Sequence, residues 1–135
     1  MTEEITNTEA AEAVESSRAM VEAERVMPAD FAHNAALHFA KAVRKHPRFA
    51  DSLWNWTGRS YAEDELAKWR RILKIDDKAG VLSAQNLLYC EILEAAAAHN
   101  AQKNEETISE LYDAVAVLMR MIAVVEGKQK LGGER

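Results

Sequence analysis

The sequence predicts an all-α protein, a bundle of four or five helices, and three observations support this prediction. Only five of the 135 residues are glycine and two are proline, too few for a turn-rich β-sheet protein. Alanine, glutamate, leucine and lysine, which favour helices, dominate the composition. No stretch alternates apolar and polar residues long enough to predict a half-buried strand. The length predicts one domain over 1–135, with loose ends at 1–7 and 128–135.

Capping residues and apolar spacing place the first two helices. A weakly apolar helix is expected from Thr8, its N-cap, to about Met27. Pro28 suits the first turn of a second helix. That helix is expected to end near Lys45, because the residue before Pro47 disfavours the α conformation. Its predicted core positions are Phe31, Ala35, Leu37, Phe39, Ala42 and Val43.

Three further helices are predicted in the second half of the chain. Ser60 and Glu63 form a capping-box pattern that starts the third helix, and the segment IDDKAG is expected to end it after Lys74. Two longer helices follow at about 81–100 and 104–127. Asn104 is the expected N-cap of the last helix and Gly127 its stop. The polar segment NAQKN between these two helices predicts an antiparallel hairpin.

Charge and composition exclude several classes of protein. The net charge of −5 argues against binding of duplex nucleic acid, which needs a basic face. No apolar run approaches the roughly 18 residues of a membrane span. The acidic N-terminal segment differs from a signal peptide, and a single cysteine, Cys90, allows no intrachain disulfide. These features predict a cytoplasmic protein that does not bind membranes.

Carboxylates lie on the apolar faces of the last two helices. The helix around 81–100 is apolar nearly all round, as buried helices are, yet Glu91 and Glu94 share a sector with its apolar side chains. Glu110 and Asp113 lie on the apolar stripe of the last helix in the same way. Because a buried carboxylate is unfavourable unless it is paired, protonated or bound to a metal, these four acids predict a cation.

The spacing of the four acids predicts that they converge. In a hairpin that turns near residue 102, Glu94 and Glu110 are each eight residues from the turn, and Glu91 and Asp113 are each eleven away. The i, i+3 spacing keeps each pair on one helix face. Oxygen-only ligation of this kind favours Mg²⁺, or Mn²⁺, over zinc.

This E-x-x-E, fifteen-residue, E-x-x-D pattern resembles that of the MazG-like all-α nucleoside triphosphate pyrophosphohydrolases. The resemblance covers roughly residues 81–125, including NLLYCEILEAAAA and EETISELYDAVAVLMRM. It implies that Glu91, Glu94, Glu110 and Asp113 bind Mg²⁺, and that a nucleoside or deoxynucleoside triphosphate is cut to a monophosphate and pyrophosphate. Cys90 stands where many members have a further glutamate, and Lys128 and Lys130 are weak counterparts of the basic residues that often follow the last helix.

Other candidate site residues carry weaker signals. Glu91 is the predicted catalytic carboxylate, which would orient a water. Trp69 is a candidate for stacking on a base, although core packing is the more common role of tryptophan. Arg70, Arg71 and Lys74 form a basic cluster that is a candidate for binding phosphates, and a solvated helix end is the competing interpretation. Cys90 is expected to be an inert core thiol.

Two functions fit these features. The first is a Mg²⁺-dependent triphosphate pyrophosphohydrolase. The second is a non-catalytic helical interaction protein that retains the fold and uses its apolar helices for oligomerisation. Because one chain has too few other helices to cover two apolar ones, either function predicts a homodimer or homotetramer.

Overall fold

The computed structural model describes residues 6–48, 52–56 and 59–128. This part of the chain contains no strand and five α-helices: α1 (Asn7–Val26), α2 (Phe31–Lys45), α3 (Arg59–Ala79), α4 (Ala84–Asn100) and α5 (Asn104–Val125). The predicted all-α fold is therefore confirmed. No helix among the described residues has the length and apolar character needed to cross a bilayer.

The first two helices begin at other residues than predicted. Helix α1 begins at Asn7, because Thr6 and Glu9 form a capping box in which each side chain accepts the other's backbone N–H. Thr6 and Asn7 are thus part of the helix start, whereas loose residues were predicted there. Helix α2 begins only at Phe31, after a left-handed Asp30 with φ 49°. Pro28 therefore lies in the connection between the helices.

Helix α3 is longer than predicted at both ends, because it begins at Arg59, so that Ser60 lies inside the helix and is not its N-cap, and because the segment after Lys74 continues it to Ala79. It ends in a Schellman arrangement, in which the N–H of Gly80 donates to Asp77 O and that of Val81 to Asp76 O. Helix α4 begins later than predicted, after Ser83, whose side chain accepts the Asn86 N–H. Helix α5 begins at Asn104 without a side-chain cap.

Helix α4 is the centre of the packed region. It forms an antiparallel hairpin with α5 on one side and packs against α3 on the other. Leu93 is fully buried, and Leu66 of α3 packs against it. The alanines at 95, 96 and 98 are also buried, and their small side chains let neighbouring backbones approach closely. This arrangement fixes the face of α4 that carries the acids.

Helices α1 and α2 stay outside this core. None of the residues of α2 is buried, so the six core positions predicted for it are wrong for the single chain. Phe39, for example, is 64% exposed. The connection between α1 and α2 is held at the end of α5, where Ala29 N donates to Glu126 Oε1 (3.1 Å) and Lys128 Nζ donates to Met27 O (2.8 Å).

Candidate metal centre

Three carboxylates meet at the middle of the α4–α5 hairpin. Glu91 and Glu94 lie one turn apart on α4, and Glu110 faces them from α5. One carboxylate oxygen from each lies within 4.8 Å of the other two. Their spacing along the sequence produces this meeting, since Glu94 and Glu110 are equally far from Gln102 in the turn. The predicted convergence is observed for these three acids.

Two oxygens in this group have no hydrogen-bond partner. Glu91 Oε2 and Glu110 Oε2 are both buried from solvent and accept no hydrogen bond from the described residues. Burying a carboxylate oxygen without a donor or a cation is energetically unfavourable. A proton or a bound cation at these two oxygens would offset the unfavourable burial.

The carboxyl groups of this cluster favour protonation in the metal-free chain. Burial, followed by the charges of Glu94 and Asp113, raises the pKa of Glu91 from 4.5 to about 7. For Glu110 the largest cause is a hydrogen bond with Glu94, followed by burial, and its pKa is also raised to about 7. Both carboxyl groups therefore titrate near neutral pH in the metal-free chain.

Asp113 stands apart from the three glutamates. Its side chain is exposed, and it is not one of the residues whose oxygens lie within 4.8 Å of one another. Its charge nevertheless contributes to the raised pKa of both Glu91 and Glu110. The fourth predicted ligand is thus close enough to act electrostatically, at the solvent side of the cluster.

A small cleft opens beside the acids between α3, α4 and the start of α5. It has a volume of about 190 Å³, and Glu94 and Glu110 lie in its wall. Arg70 and Lys103 supply its positive charge. Arg70 Nη2 lies 3.4 Å from Glu94 Oε1, and Lys103 Nζ lies 3.8 Å from Glu106 Oε2. The volume of the cleft is below the roughly 300–1,000 Å³ that ligand pockets usually enclose.

Of the predicted basic cluster of Arg70, Arg71 and Lys74, Arg70 is the residue that lines this cleft. Arg70 follows Glu63 and Leu66 at positions i+7 and i+4, on the α3 face that packs toward α4. That spacing distinguishes Arg70 from its neighbour Arg71. Arg71 is exposed and lies about 100° further round the helix. Lys74, also exposed, lies one turn beyond Arg70 on nearly the same face, and neither residue lines the cleft.

Trp69 packs in an aromatic cluster on another side of α4. Its ring lies 4.6 Å from that of Tyr89, which also contacts Trp56 edge-on at 5.4 Å. Tyr89 is about 200° round the helix from Glu91. The Trp56 carbonyl accepts a hydrogen bond from Asn100 Nδ2 (2.7 Å), which fixes this segment to α4. Trp69 therefore packs in the core, away from the acids.

Cys90 is buried beside the cluster. Its Sγ lies 4.0 Å from Glu94 Oε1. Burial, and then the charge of Glu94, raises the pKa of the Cys90 thiol to about 11. The neutral thiol is thus strongly favoured, and no thiolate is available as a ligand or nucleophile at neutral pH.

A larger hollow of about 500 Å³ lies along α1. The described residues that line it all belong to α1, and the charged ones are Arg18, Glu22 and Arg25. It shares no lining residue with the acidic cleft and gathers no set of ligands. The carboxylate cluster is therefore the candidate functional site.

Comparisons of the chain with protein-family models, with curated proteins and with solved structures find no match. The function is consequently inferred from the residues of the site.

Proposed function

We propose that the protein is a Mg²⁺-dependent nucleoside triphosphate pyrophosphohydrolase, which releases a monophosphate and pyrophosphate. The observation that carries the proposal is the approach of Glu91, Glu94 and Glu110 to within 4.8 Å on two apolar helices. Acids scattered on solvated helix faces would repel one another and turn apart. Here the fold keeps them together, with two of their oxygens buried and unpartnered.

The geometry of the cluster fits a small, hard dication. Mg²⁺ binds oxygen at about 2.0–2.1 Å, so opposite ligands in an octahedron are about 4.2 Å apart. Among three ligands at most one pair can be opposite, and neighbouring ligands are about 2.9 Å apart, so the glutamate oxygens, which lie within 4.8 Å of one another, would have to close by up to roughly 1.9 Å to ligate one ion directly. The all-oxygen donor set suits Mg²⁺ or Mn²⁺ and does not suit zinc.

The residues around the cluster have complementary roles in this reaction. Glu91, Glu94 and Glu110 would hold the ion, with Asp113 at the solvent side. When bound, Mg²⁺ supplies positive charge against the phosphates and makes water more acidic. Arg70 and Lys103 would bind phosphate oxygens from the other walls of the cleft. Glu91, beside the ion, would orient the attacking water as the catalytic carboxylate.

A product assay tests the proposal. The chelated protein is given Mg²⁺ and each common nucleoside and deoxynucleoside triphosphate, and the products are separated. We expect equal amounts of monophosphate and pyrophosphate from at least one substrate, and no product in EDTA. Glu94→Gln should abolish turnover, whereas Glu105→Gln, a matched change at an exposed position in the first turn of α5, should not. Release of a diphosphate and inorganic phosphate would contradict the proposed bond cleavage.

The competing candidate is a non-catalytic helical interaction protein. The exposed apolar residues of α2 and α5 favour it, since such faces mark contacts with other chains. An enzyme that oligomerises would expose the same faces in a single chain. Absence of turnover with every triphosphate, in a protein that oligomerises, would favour this second function.

A further inference from the structure

Arg70 is a basic residue in direct contact with the carboxylate cluster. From the α3 side of the cleft, its Nη2 donates to Glu94 Oε1 at 3.4 Å. The same glutamate oxygen lies 4.0 Å from Cys90 Sγ. By contrast, Glu91 Oε2 and Glu110 Oε2 accept no hydrogen bond from the described residues. In the metal-free chain, the guanidinium therefore supplies positive charge to one glutamate of the three.

The charge of Arg70 also acts on the neighbours of Glu94. Burial and the charge of Glu94 raise the pKa of Glu91 and of the Cys90 thiol, and the charge of Arg70 opposes this rise in both groups. A divalent cation at the cluster would favour ionised carboxylates in the same way. Arg70 is thus a partial substitute for such an ion, attached to α3.

The ion pair between Arg70 and Glu94 is easily broken. The side chain of Arg70 is 60% exposed and that of Glu94 is 24% exposed. The separation of 3.4 Å is longer than the roughly 2.7–2.9 Å of a strong charge-assisted hydrogen bond. Ion pairs with this exposure contribute little to stability. A cation that binds Glu94 can therefore displace Arg70 without disturbing the packing of Leu66 on Leu93, which joins α3 to α4.

Arg70 also faces the space that a polyphosphate would enter. It lines the cleft of about 190 Å³ together with Lys103, Glu94 and Glu110. A guanidinium can bind two phosphate oxygens at once, whereas one nitrogen makes the contact with Glu94. Once a phosphate group is present, an Arg70 side chain released from Glu94 would thus have a better partner in the same cleft.

From these contacts we propose that Arg70 and the divalent cation compete for Glu94, and that Arg70 moves to a phosphate group of the substrate when the ion binds. The inference rests on the proposed function, since it assumes that Glu94 binds the ion and that the cleft receives a triphosphate. It adds a role in selection: the site would prefer the metal–triphosphate complex to the free ion.

This preference has two physical causes. Arg70 weakens binding of the free ion, because its charge repels the ion and because its pair with Glu94 must be broken. Arg70 strengthens binding of the metal–triphosphate complex, because a phosphate replaces the carboxylate that the guanidinium loses. By linkage, each ligand then raises the affinity of the site for the other.

Opposite effects of one substitution test the proposal. Calorimetric titration with Mg²⁺ alone is done at pH 8, where Glu91 and Glu110 are mostly ionised. Arg70→Gln should lower the Kd for Mg²⁺ roughly three- to tenfold, because a repelling charge is removed. In steady-state kinetics, the same variant should raise the KM for the triphosphate by about tenfold or more, because a charged hydrogen bond to phosphate is lost. Loss of a structural contact would not tighten metal binding while it weakens substrate binding.

Two further variants are the controls. Arg71→Gln makes the same change at an exposed position that does not line the cleft, and should leave both constants at parental values. Arg70→Lys retains the charge and should restore the parental Kd for Mg²⁺. It should restore the KM only in part, because an ammonium lacks the fork that binds two phosphate oxygens. Circular dichroism checks that each variant is folded, as expected for changes of exposed side chains.

Other outcomes overturn the proposal. A Kd for Mg²⁺ that Arg70→Gln leaves unchanged or raises would exclude competition for Glu94. A KM unchanged in Arg70→Gln, or raised equally by Arg71→Gln, would exclude the move to phosphate. Failure of the proposed function gives a different result: the parent would release no pyrophosphate from any triphosphate, while the Mg²⁺ titration would still decide whether Arg70 competes with the ion. A parent that binds no Mg²⁺ would contradict both.

Discussion

Glu94 and Glu110 face each other across the α4–α5 hairpin, each eight residues from Gln102 in its turn. A hydrogen bond between their carboxyl groups is the main cause of the raised pKa of Glu110. Two carboxyl groups share a hydrogen bond only when one is protonated. A proton shared by this pair in the metal-free chain would therefore stand where a cation would fit.

The first prediction concerns metal binding. Mg²⁺ or Mn²⁺ should raise the melting temperature of the chelated protein, since an ion that binds only the native state stabilises it. At 100 times the Kd the stabilisation is about 2.7 kcal/mol, which corresponds to several degrees. Differential scanning fluorimetry measures this shift. Glu94→Gln should remove most of it, and Glu105→Gln should leave it unchanged. An equal shift in both variants would place the ion elsewhere.

The second prediction concerns pH. Folding raises the pKa of Glu91 and Glu110 from 4.5 to about 7. At pH values between these two pKa values, the native state therefore binds more protons than the unfolded state. The free energy of unfolding in EDTA should consequently decrease as the pH rises from about 4.5 to about 7. Urea unfolding at several pH values measures this slope, and Glu110→Gln should reduce it. Since the ion competes with protons, stabilisation by Mg²⁺ should be larger at pH 8 than at pH 5.5. A slope unaffected by Glu110→Gln would contradict the assignment.

The third prediction concerns Asp113. Asp113→Asn should lower kcat/KM by at least the roughly 100-fold attributed to supporting residues of metal sites. It should leave the fold intact and the metal-free protein equally or more stable, because it removes a charge that repels Glu91 and Glu110. Steady-state kinetics and thermal unfolding in EDTA measure the two effects. Turnover at the parental rate would exclude Asp113 from the reaction, whatever the change in stability.

The fourth prediction concerns the hairpin turn. Gln102 has φ 61° and closes α4 with the same hydrogen-bond pattern that Gly80 and Gly127 give to α3 and α5. Gln102→Gly should increase the free energy of unfolding by about 0.5–1 kcal/mol, since glycine adopts positive φ without a Cβ penalty. The melting temperature should rise by roughly 2–4 °C. Gln102→Ala, which retains a Cβ, is the control and should give no gain; a rise of the same size would exclude the backbone explanation.

The fifth prediction concerns Cys90. With a pKa of about 11 against 9.0 for an ordinary thiol, its thiolate fraction at pH 8 is roughly 100-fold smaller. Reaction of the native protein with a thiol reagent should therefore be slower than that of the urea-unfolded protein by at least this factor. Rapid stoichiometric labelling of the native chain would show that this part of α4 opens readily.

The sequence by itself predicted the all-α fold and the meeting of four acids, of which three, Glu91, Glu94 and Glu110, lie together. Equal distances from a polar turn bring Glu94 and Glu110 to one level, because the rise per residue is the same in both helices. The sequence also correctly predicted that α2 ends at about Lys45 and that Gly127 closes α5.

Only the tertiary structure decided which side chains surround these acids and which apolar faces are covered. Arg70, and not Arg71, lines the cleft because the direction of α3 relative to α4 selects one face of that helix. The same interhelical geometry leaves Asp113 at the solvent side. Phe39 is one of the core positions that local periodicity predicted for α2, yet it is 64% exposed in the single chain. Periodicity defines a face, while the element that covers it depends on contacts between residues far apart in sequence, or in another chain.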